Sequence, residues 1–362
     1  MKKRMFEPVE IGKIQANARI VRSATYELTA GENGVITPFL SEIYEDLING
    51  GCDIIITGMM SIGTNACINE SMIRVPDPTF LDRFGAVARK VHQMGGHVVV
   101  QLSHCGVKAT LLDKGDQPYA PSDYTFYPNL PAKAITKEEI DSLVTQYAAS
   151  ALKCKEAGAD GVQIHSAHGY LLSQFLSPHF NKRTDEYGGT IENRAHMLFQ
   201  VCDAIRAAVG PNYPLWVKIN YTDLIDDGLT GDDCLWVCKE LEKRSVNAIE
   251  ISSGIGLNRA SGPAKTIVTP EDEGSYVEGA LKIAEQVQIS ILSVGGFRTP
   301  EIIEQKLNQG NIAAISISRP LICEPALLAR WHAGDLSKAK CTSCNGCYKA
   351  KRYECVIKNA SL

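Results

Sequence analysis

The chain has 362 residues, 44% hydrophobic and 22% charged, with a formal net charge of −4 at pH 7. That is the profile of an ordinary globular enzyme with room for one large domain or two smaller ones. The charge argues against a nucleic-acid partner, which needs a concentrated basic face. No apolar run approaches the ~20 residues that span a bilayer, and MKKRMFEPVE lacks the apolar stretch of a signal peptide, so a cytoplasmic protein without a membrane partner is expected.

In chain order, eight short apolar runs read as strands: ARIVRSA, CDIIITG, HVVVQLS, DGVQIH, LWVKIN, NAIEIS, SILSVGG and AAISIS. Every interval is long enough for a helix. Eight βα units predict a closed (β/α)8 TIM barrel, with an open doubly wound sheet as the alternative on periodicity alone. Thr136-Lys137-Glu138-Glu139 reads as a capping box ahead of the stripe Ile140, Leu143, Val144 and Tyr147, and Thr299-Pro300 as a cap before a first-turn proline. The longest connection, roughly 104 to 135, carries Tyr124, Phe126 and Tyr127 and has the length of a lid. The barrel is expected over 1–335, followed by a short C-terminal cysteine-rich extension, 336–362.

Active sites of such barrels lie at the C-terminal ends of the strands. Those ends present Thr25, Gly58-Met59, Gln101, His165, Lys218, Ser252-Ser253, Gly295-Gly296 and Ser318-Arg319, a polar ring that predicts one shared site. His165, His168 and Tyr170 crowd behind the apolar strand GADGVQI. Two imidazoles can donate to one carbonyl oxygen, and a nearby phenol can deliver a proton. Zinc suits the pair less well, since a zinc-binding helical pair is normally His-x-x-x-His with a glutamate after the first; packed core histidines are the bland reading. Gly295-Gly296 and Ser318-Arg319 match a barrel phosphate site, because glycines let backbone N–H groups approach an anion and the guanidinium adds charge. No GxGxxG fingerprint exists: in Ser253-Gly254-Ile255-Gly256 the third glycine position is taken by Arg259. A nicotinamide donor therefore has no Rossmann domain of its own.

Residues 165–194, HSAHGYLLSQFLSPHFNKRTDEYGGTIENR, with RIVRSATYE, VVVQLSHCG and SRPLI in matching order, carry a specific likeness. From about residue 5 to residue 335 the chain resembles the old yellow enzyme family of FMN-dependent NAD(P)H oxidoreductases, in its bacterial NADH:flavin oxidoreductase and 2,4-dienoyl-CoA reductase branch. The resemblance implies FMN, its phosphate at Gly295, Gly296, Ser318 and Arg319. Gln101 then reads the flavin pyrimidine edge, and Ala24, Thr25 and Met59 join the flavin bed, Thr25 near the C4 carbonyl. Lys218 stands near flavin N1, where many relatives have arginine; lysine supplies the charge without the bidentate fork. NAD(P)H and the oxidant are implied to use one docking place in turn, in ping-pong order. His165, beside the flavin, and His168 would hold the carbonyl oxygen of an enone or enal while its β-carbon takes hydride, and Tyr170 would protonate the α-carbon. Tyr26 or Glu27 would line the substrate pocket. Asn181, Arg183, Asp185, Tyr187 and Arg194 match signature positions that fix the loop. A homo-oligomer is expected.

Twelve cysteines without an export signal point to a reducing compartment, and eight of them, scattered in apolar surroundings, read mostly as small buried hydrophobes. The other four, Cys341-x2-Cys344-x2-Cys347-x7-Cys355, have the spacing of ligands to a [4Fe–4S] cluster or zinc; a tail without metal stays open too. Residues 336–362 hold six Lys or Arg against Glu354, +5, which leaves −9 for the rest. In relatives a similar cysteine group after the barrel holds a cluster and leads into an FAD- and nucleotide-binding half. Two further readings follow: a flavin/iron–sulfur amine dehydrogenase-like demethylase, and a non-catalytic electron-transfer subunit serving a partner protein.

Overall fold

The computed structural model describes residues 4–112, 116–350 and 352–359. Its centre is a closed barrel of eight parallel strands: β1 (Ile20–Arg22), β2 (Ile54–Ile56), β3 (His97–Ser103), β4 (Gly161–Ser166), β5 (Leu215–Asn220), β6 (Ala248–Ser252), β7 (Ser290–Ser293) and β8 (Ala314–Ile317). Each strand pairs with its sequence neighbour, and β8 returns to β1 through Ile315↔Ile20. The open doubly wound alternative is thereby excluded.

The strands form because β-branched and apolar residues fill both faces, as a parallel sheet covered by helices requires. The two-residue period then sorts the barrel interior into layers. Low in the barrel lie Val21, Ile54, Val99, Trp216, Ala248, Leu292 and Ala314, sealed by Ile11 and Ile14 of an N-terminal hairpin (Val9–Ile11 with Ile14–Ala16). Burying each of those two isoleucines stabilises the plug by roughly 1.5–3 kcal/mol. Gly12 turns the hairpin at φ +51° directly under Trp216, whose Nε1 donates to Gly12 O at 3.0 Å; a Cβ there would sit 2.4 Å from that nitrogen. One step higher on the same inward faces come Gln101, Gln163, Lys218 and Glu250, so apolar floor gives way to polar ceiling.

The helix Lys137–Glu156 starts on the expected capping box, Thr136 Oγ1 accepting from Glu139 N and Glu139 answering to Thr136 N. Thr299 precedes the helix Pro300–Leu307, but its hydroxyl donates to Glu273 Oε1 at 2.8 Å rather than capping. The 104–135 connection is not a plain loop: Tyr119–Ala120, Tyr124–Tyr127 and Leu130–Ala134 form a three-stranded sheet. Residues 113–115 of it lie outside the described residues. Among the described residues no helix is long and apolar enough to cross a membrane.

Candidate active site

One cavity of about 340 Å³ opens at the C-terminal end of the barrel. It is lined by Ala24, Tyr26, Met59, Gln101, His165, His168, Tyr170, Lys218, Gly295, Gly296, Ser318 and Arg319, which the sequence had distributed over seven strand ends. Thr25 is the exception. It faces an adjoining cavity, its hydroxyl donating to Ser23 O at 2.9 Å and lying 2.8 Å from Ser318 Oγ. The reason is geometric: β1 ends at Arg22, and the chain beyond it is anchored by Glu27, not by Thr25. The buried Glu27 carboxylate pairs with Arg22 at 2.9 Å and accepts from Gly58 N and Tyr44 Oη, so it is a brace rather than a substrate contact.

The histidine cluster owes its shape to a sharp exit from β4. His168 and Gly169 both adopt left-handed backbone (φ 61° and 70°), and a Cβ on Gly169 would lie 2.5 Å from Ile255 O. A histidine there costs energy that the surrounding bonds must offset: His168 N donates to Asn220 Oδ1 at 3.2 Å, and its Nε2 lies 2.7 Å from Ser252 Oγ. The turn brings the His165 ring to 5.1 Å from that of His168 and 4.8 Å from that of Tyr170. Among the described residues the buried His165 Nδ1 has no hydrogen-bond partner, and such a group calls for a ligand. Burial, reinforced by the nearby Lys218 and Lys108 charges, holds both imidazoles well below their usual pKa, so both are neutral at pH 7. Burial also pushes the Tyr170 phenol well above its usual value, which keeps its proton in place.

Beneath the cavity runs a buried polar chain. Gln101 Nε2 donates to Gln163 Oε1 (2.7 Å), Gln163 Nε2 to Glu250 Oε2 (3.0 Å), and Ser23 Oγ to Glu250 Oε1 (2.6 Å). Lys218 Nζ donates to Ser23 Oγ at 3.0 Å and pairs with Glu250 at 3.1 Å. Burial alone would raise the Glu250 pKa, but the Lys218 charge and these hydrogen bonds outweigh it and hold the carboxyl below its ordinary range. Gln163 and Glu250 lie inside strands at the level of Gln101 and Lys218, and were not singled out from the sequence. The signal was present in NAIEIS, where one glutamate breaks an apolar strand at an inward step.

Lys108 is the other residue that sequence reasoning missed. Its Nζ donates to His168 O (2.8 Å) and Ile255 O (2.7 Å) and lies 5.3 Å from the Tyr170 ring centroid. Burial lowers its pKa to about 8. Over it folds the lid sheet, with Phe126 5.4 Å from the ammonium and Tyr124 Oη 2.9 Å from His179 Nε2. The signature residues of the 165–194 loop brace this cover. Arg183 pairs with Asp185 and donates to Pro121 O and Ile135 O at the base of the lid; Asn181 donates to Phe175 O and Tyr187 O, and Arg194 to Leu176 O and Gly189 O.

At the opposite end, Gly295 (φ 153°) and Gly296 (φ 81°) adopt backbone and packing that leave no room for a side chain. A Cβ at 295 would lie 2.7 Å from Ser275 N, and one at 296 would lie 2.5 Å from Ile267 Cδ1 and 3.7 Å from Arg319 Nη2. Backbone free of side chains beside a guanidinium suits a phosphate. The residues present therefore fit a ligand with an anionic end here and a hydrogen-bonding edge at Gln101 and Lys218, as FMN has.

The eight scattered cysteines are buried as expected, but Cys323 joins the tail. Cys341, Cys344, Cys347 and Cys355 line one small cavity. Yet among the described residues no group of three or more His, Cys, Asp or Glu side chains is arranged to hold a metal ion. Burial and a hydrogen bond shared with Cys355 push the Cys323 thiol up to about 12. The donor chemistry suits a thiolate-bound metal; the side-chain arrangement does not.

A barrel of this kind, with neutral imidazoles at one end of its cavity and a glycine–arginine anion site at the other, is the frame of a flavin oxidoreductase. Residues 4–336 match the NADH:flavin oxidoreductase / NADH oxidase family, and the chain belongs to it, among the old yellow enzymes; membership implies FMN and NAD(P)H. The chain is 31% identical over 98% of its length to a metal reductase of Desulforamulus reducens, spanning 53% of that protein. It is 30% identical over 90% of its length to an NADPH dehydrogenase of Bacillus subtilis, spanning 93% of it. The fold superposes on 2-naphthoyl-CoA reductase with a TM-score of 0.87 at 24% identity, covering 95% of this chain and 54% of that one. The chain thus spans about half the length of some relatives and nearly all of others.

Proposed function

We propose that the protein is an FMN-dependent NAD(P)H oxidoreductase that reduces the activated C=C bond of α,β-unsaturated carbonyl compounds. The observation that carries this reading is the unpaired His165 Nδ1 beside a neutral His168 and a protonated Tyr170 in one cavity. FMN, when bound, supplies a carrier that takes hydride from NAD(P)H and passes it to the β-carbon of the substrate.

The chain's own residues do the rest. His165 and His168 donate to the carbonyl oxygen and stabilise negative charge as it develops there. Because both are neutral, they bind the oxygen without competing for its protonation. Tyr170 delivers a proton to the α-carbon, which completes addition of two hydrogens across the double bond. Gln101, its Nε2 committed to Gln163, offers Oε1 to the pyrimidine edge of the flavin. Lys218, which bonds Ser23 and pairs with Glu250, would supply positive charge near flavin N1. Gly295, Gly296, Ser318 and Arg319 take the phosphate, Ala24 and Met59 pack against the ring system, and Tyr26 borders the substrate. Thr25, facing the adjoining cavity, acts on the flavin through Ser318.

We assign residues 336–362 as a cysteine-rich extension tied to the barrel at Arg298 and Arg319, whose thiols would take a [4Fe–4S] cluster, or zinc as the alternative, only after their side chains rearrange. Tyr348, next to Cys347, lines the same cavity, which sets the cysteine segment beside the flavin site. Iron, sulfide and zinc analysis of anaerobically purified protein decides the tail's content. The main reading is tested by releasing the cofactor with heat and analysing NAD(P)H-driven turnover of a cyclic enone. FMN and the saturated ketone are expected; recovery of FAD, or an enone left unreduced by a flavin-replete protein, overturns it.

A further inference from the structure

We infer that Asn345, in the turn between Cys344 and Cys347, is a positioning residue for the FMN phosphate, so that the cysteine tail forms part of the flavin site. This rests on the reading of Arg319 as the phosphate's guanidinium.

The geometry is specific. Asn345 Oδ1 accepts a hydrogen bond from Arg319 Nη1, while Asn345 Nδ2 donates to Ala264 O at 3.2 Å. Those two partners fix which way the amide points, since only its oxygen can face a guanidinium and only its nitrogen a carbonyl. Arg319 Nη1 also donates to Lys265 O at 2.9 Å. One edge of the guanidinium is thus held by two acceptors, and Nη2 is left beside Gly296, 3.7 Å from where a Cβ on that residue would lie. Both acceptors are neutral, so the arginine keeps its full charge for an anion. A carboxylate in place of the amide would hold the same edge and cancel that charge.

Local sequence explains why this position can do it. Asn345 has φ 61°, the left-handed region that asparagine tolerates better than other residues with a side chain. The turn projects the amide from the cysteine segment toward the barrel. A second tether lies at the root of the tail, where Arg298 Nη1 donates to Cys341 O at 3.2 Å and Ala339 N to Arg298 O at 2.9 Å. Arg298 follows Gly295-Gly296 by two residues. The tail therefore grips both loops that carry the anion site.

The test is equilibrium dialysis of the full chain against graded FMN or riboflavin, which differ by the phosphate alone. Asn345→Gly keeps the backbone turn and removes the amide. It should weaken FMN by roughly tenfold, the worth of about one hydrogen bond to a charged group, and leave riboflavin unchanged. In an Arg319→Ala background the same change should have no further effect, because the group it positions is gone. Asn345→Asp, which keeps turn and acceptor but sets a negative charge against the phosphate, should also weaken FMN selectively and covers the case in which the glycine variant does not fold. If Arg319→Ala weakens FMN and riboflavin alike, the phosphate reading itself fails. If Arg319→Ala is selective for FMN but the Asn345 variants are neutral, hit both flavins equally, or add fully to Arg319→Ala, the role assigned to Asn345 is wrong.

Discussion

Replacing Lys218 by methionine should change not only how stable the barrel is but how its stability depends on pH. Lys218 and Glu250 pair at 3.1 Å with side chains 4% and 0% exposed. Removing the ammonium leaves a carboxylate enclosed with only the Ser23 hydroxyl and the Gln163 amide as donors. Breaking a buried pair in this way costs roughly 3–5 kcal/mol. In the native chain the Glu250 pKa is lowered in the folded state. Its contribution is therefore fully present above the unfolded value near 4.5 and is lost as pH falls through the folded value. In Lys218→Met, burial dominates and the folded pKa rises above the unfolded one. The sign reverses: stability is then greatest below about pH 4.5 and is lost as pH rises through the new folded pKa. The gap between variant and native protein should widen as pH rises from below 4.5, reaching the full cost of one broken buried pair, roughly 3–5 kcal/mol, once Glu250 is ionised in both proteins. Urea unfolding followed by tryptophan fluorescence on flavin-free protein reads this without ligand linkage. Adding Glu250→Gln should restore most of the loss. A pH-independent deficit, or a double variant as unstable as Lys218→Met, refutes the reasoning.

Two further outcomes concern the substrate end. His165→Ala and His168→Ala should each weaken a phenolic ligand by about 1.5–3 kcal/mol, and native affinity should show no step as pH falls through the ordinary imidazole value of 6.5, because burial holds both pKa values well below it; unchanged binding in both variants removes the pair from the site. Tyr170→Phe should spare flavin reduction by NAD(P)H but slow enone reduction by about 10²-fold or more, the lower range for a general acid, with a nitroalkene less affected because its nitronate needs no immediate proton; equal loss of both half-reactions in stopped-flow traces makes the tyrosine structural.

The barrel was legible because its strands are short apolar runs at regular intervals, and chain closure follows from their number. The site residues were legible to the extent that they sit at strand ends or in the 165–194 block. Gln163 and Glu250 were not, since their role is to hold Gln101 and Lys218, a pairing that emerges only once the strand register is known. Lys108 lay within a stretch without periodicity, and its role depends on carbonyls 60 and 147 residues away. Thr25, given to the flavin bed by resemblance, lines the adjoining cavity, three residues beyond the end of β1 at Arg22. Asn345 was hidden for a different reason: among four cysteines the eye goes to the thiols, and the residue between them reaches the barrel only in three dimensions.

The most direct test of the central claim is an anaerobic double-mixing experiment on the FMN-loaded protein. NAD(P)H in the first mix should bleach the flavin absorbance, and a cyclic enone in the second, after the nicotinamide is spent, should restore it with formation of one saturated ketone per flavin. Flavin that NAD(P)H cannot reduce, or reduced flavin that an enone leaves bleached while oxygen or an electron-transfer protein reoxidises it, would contradict the account.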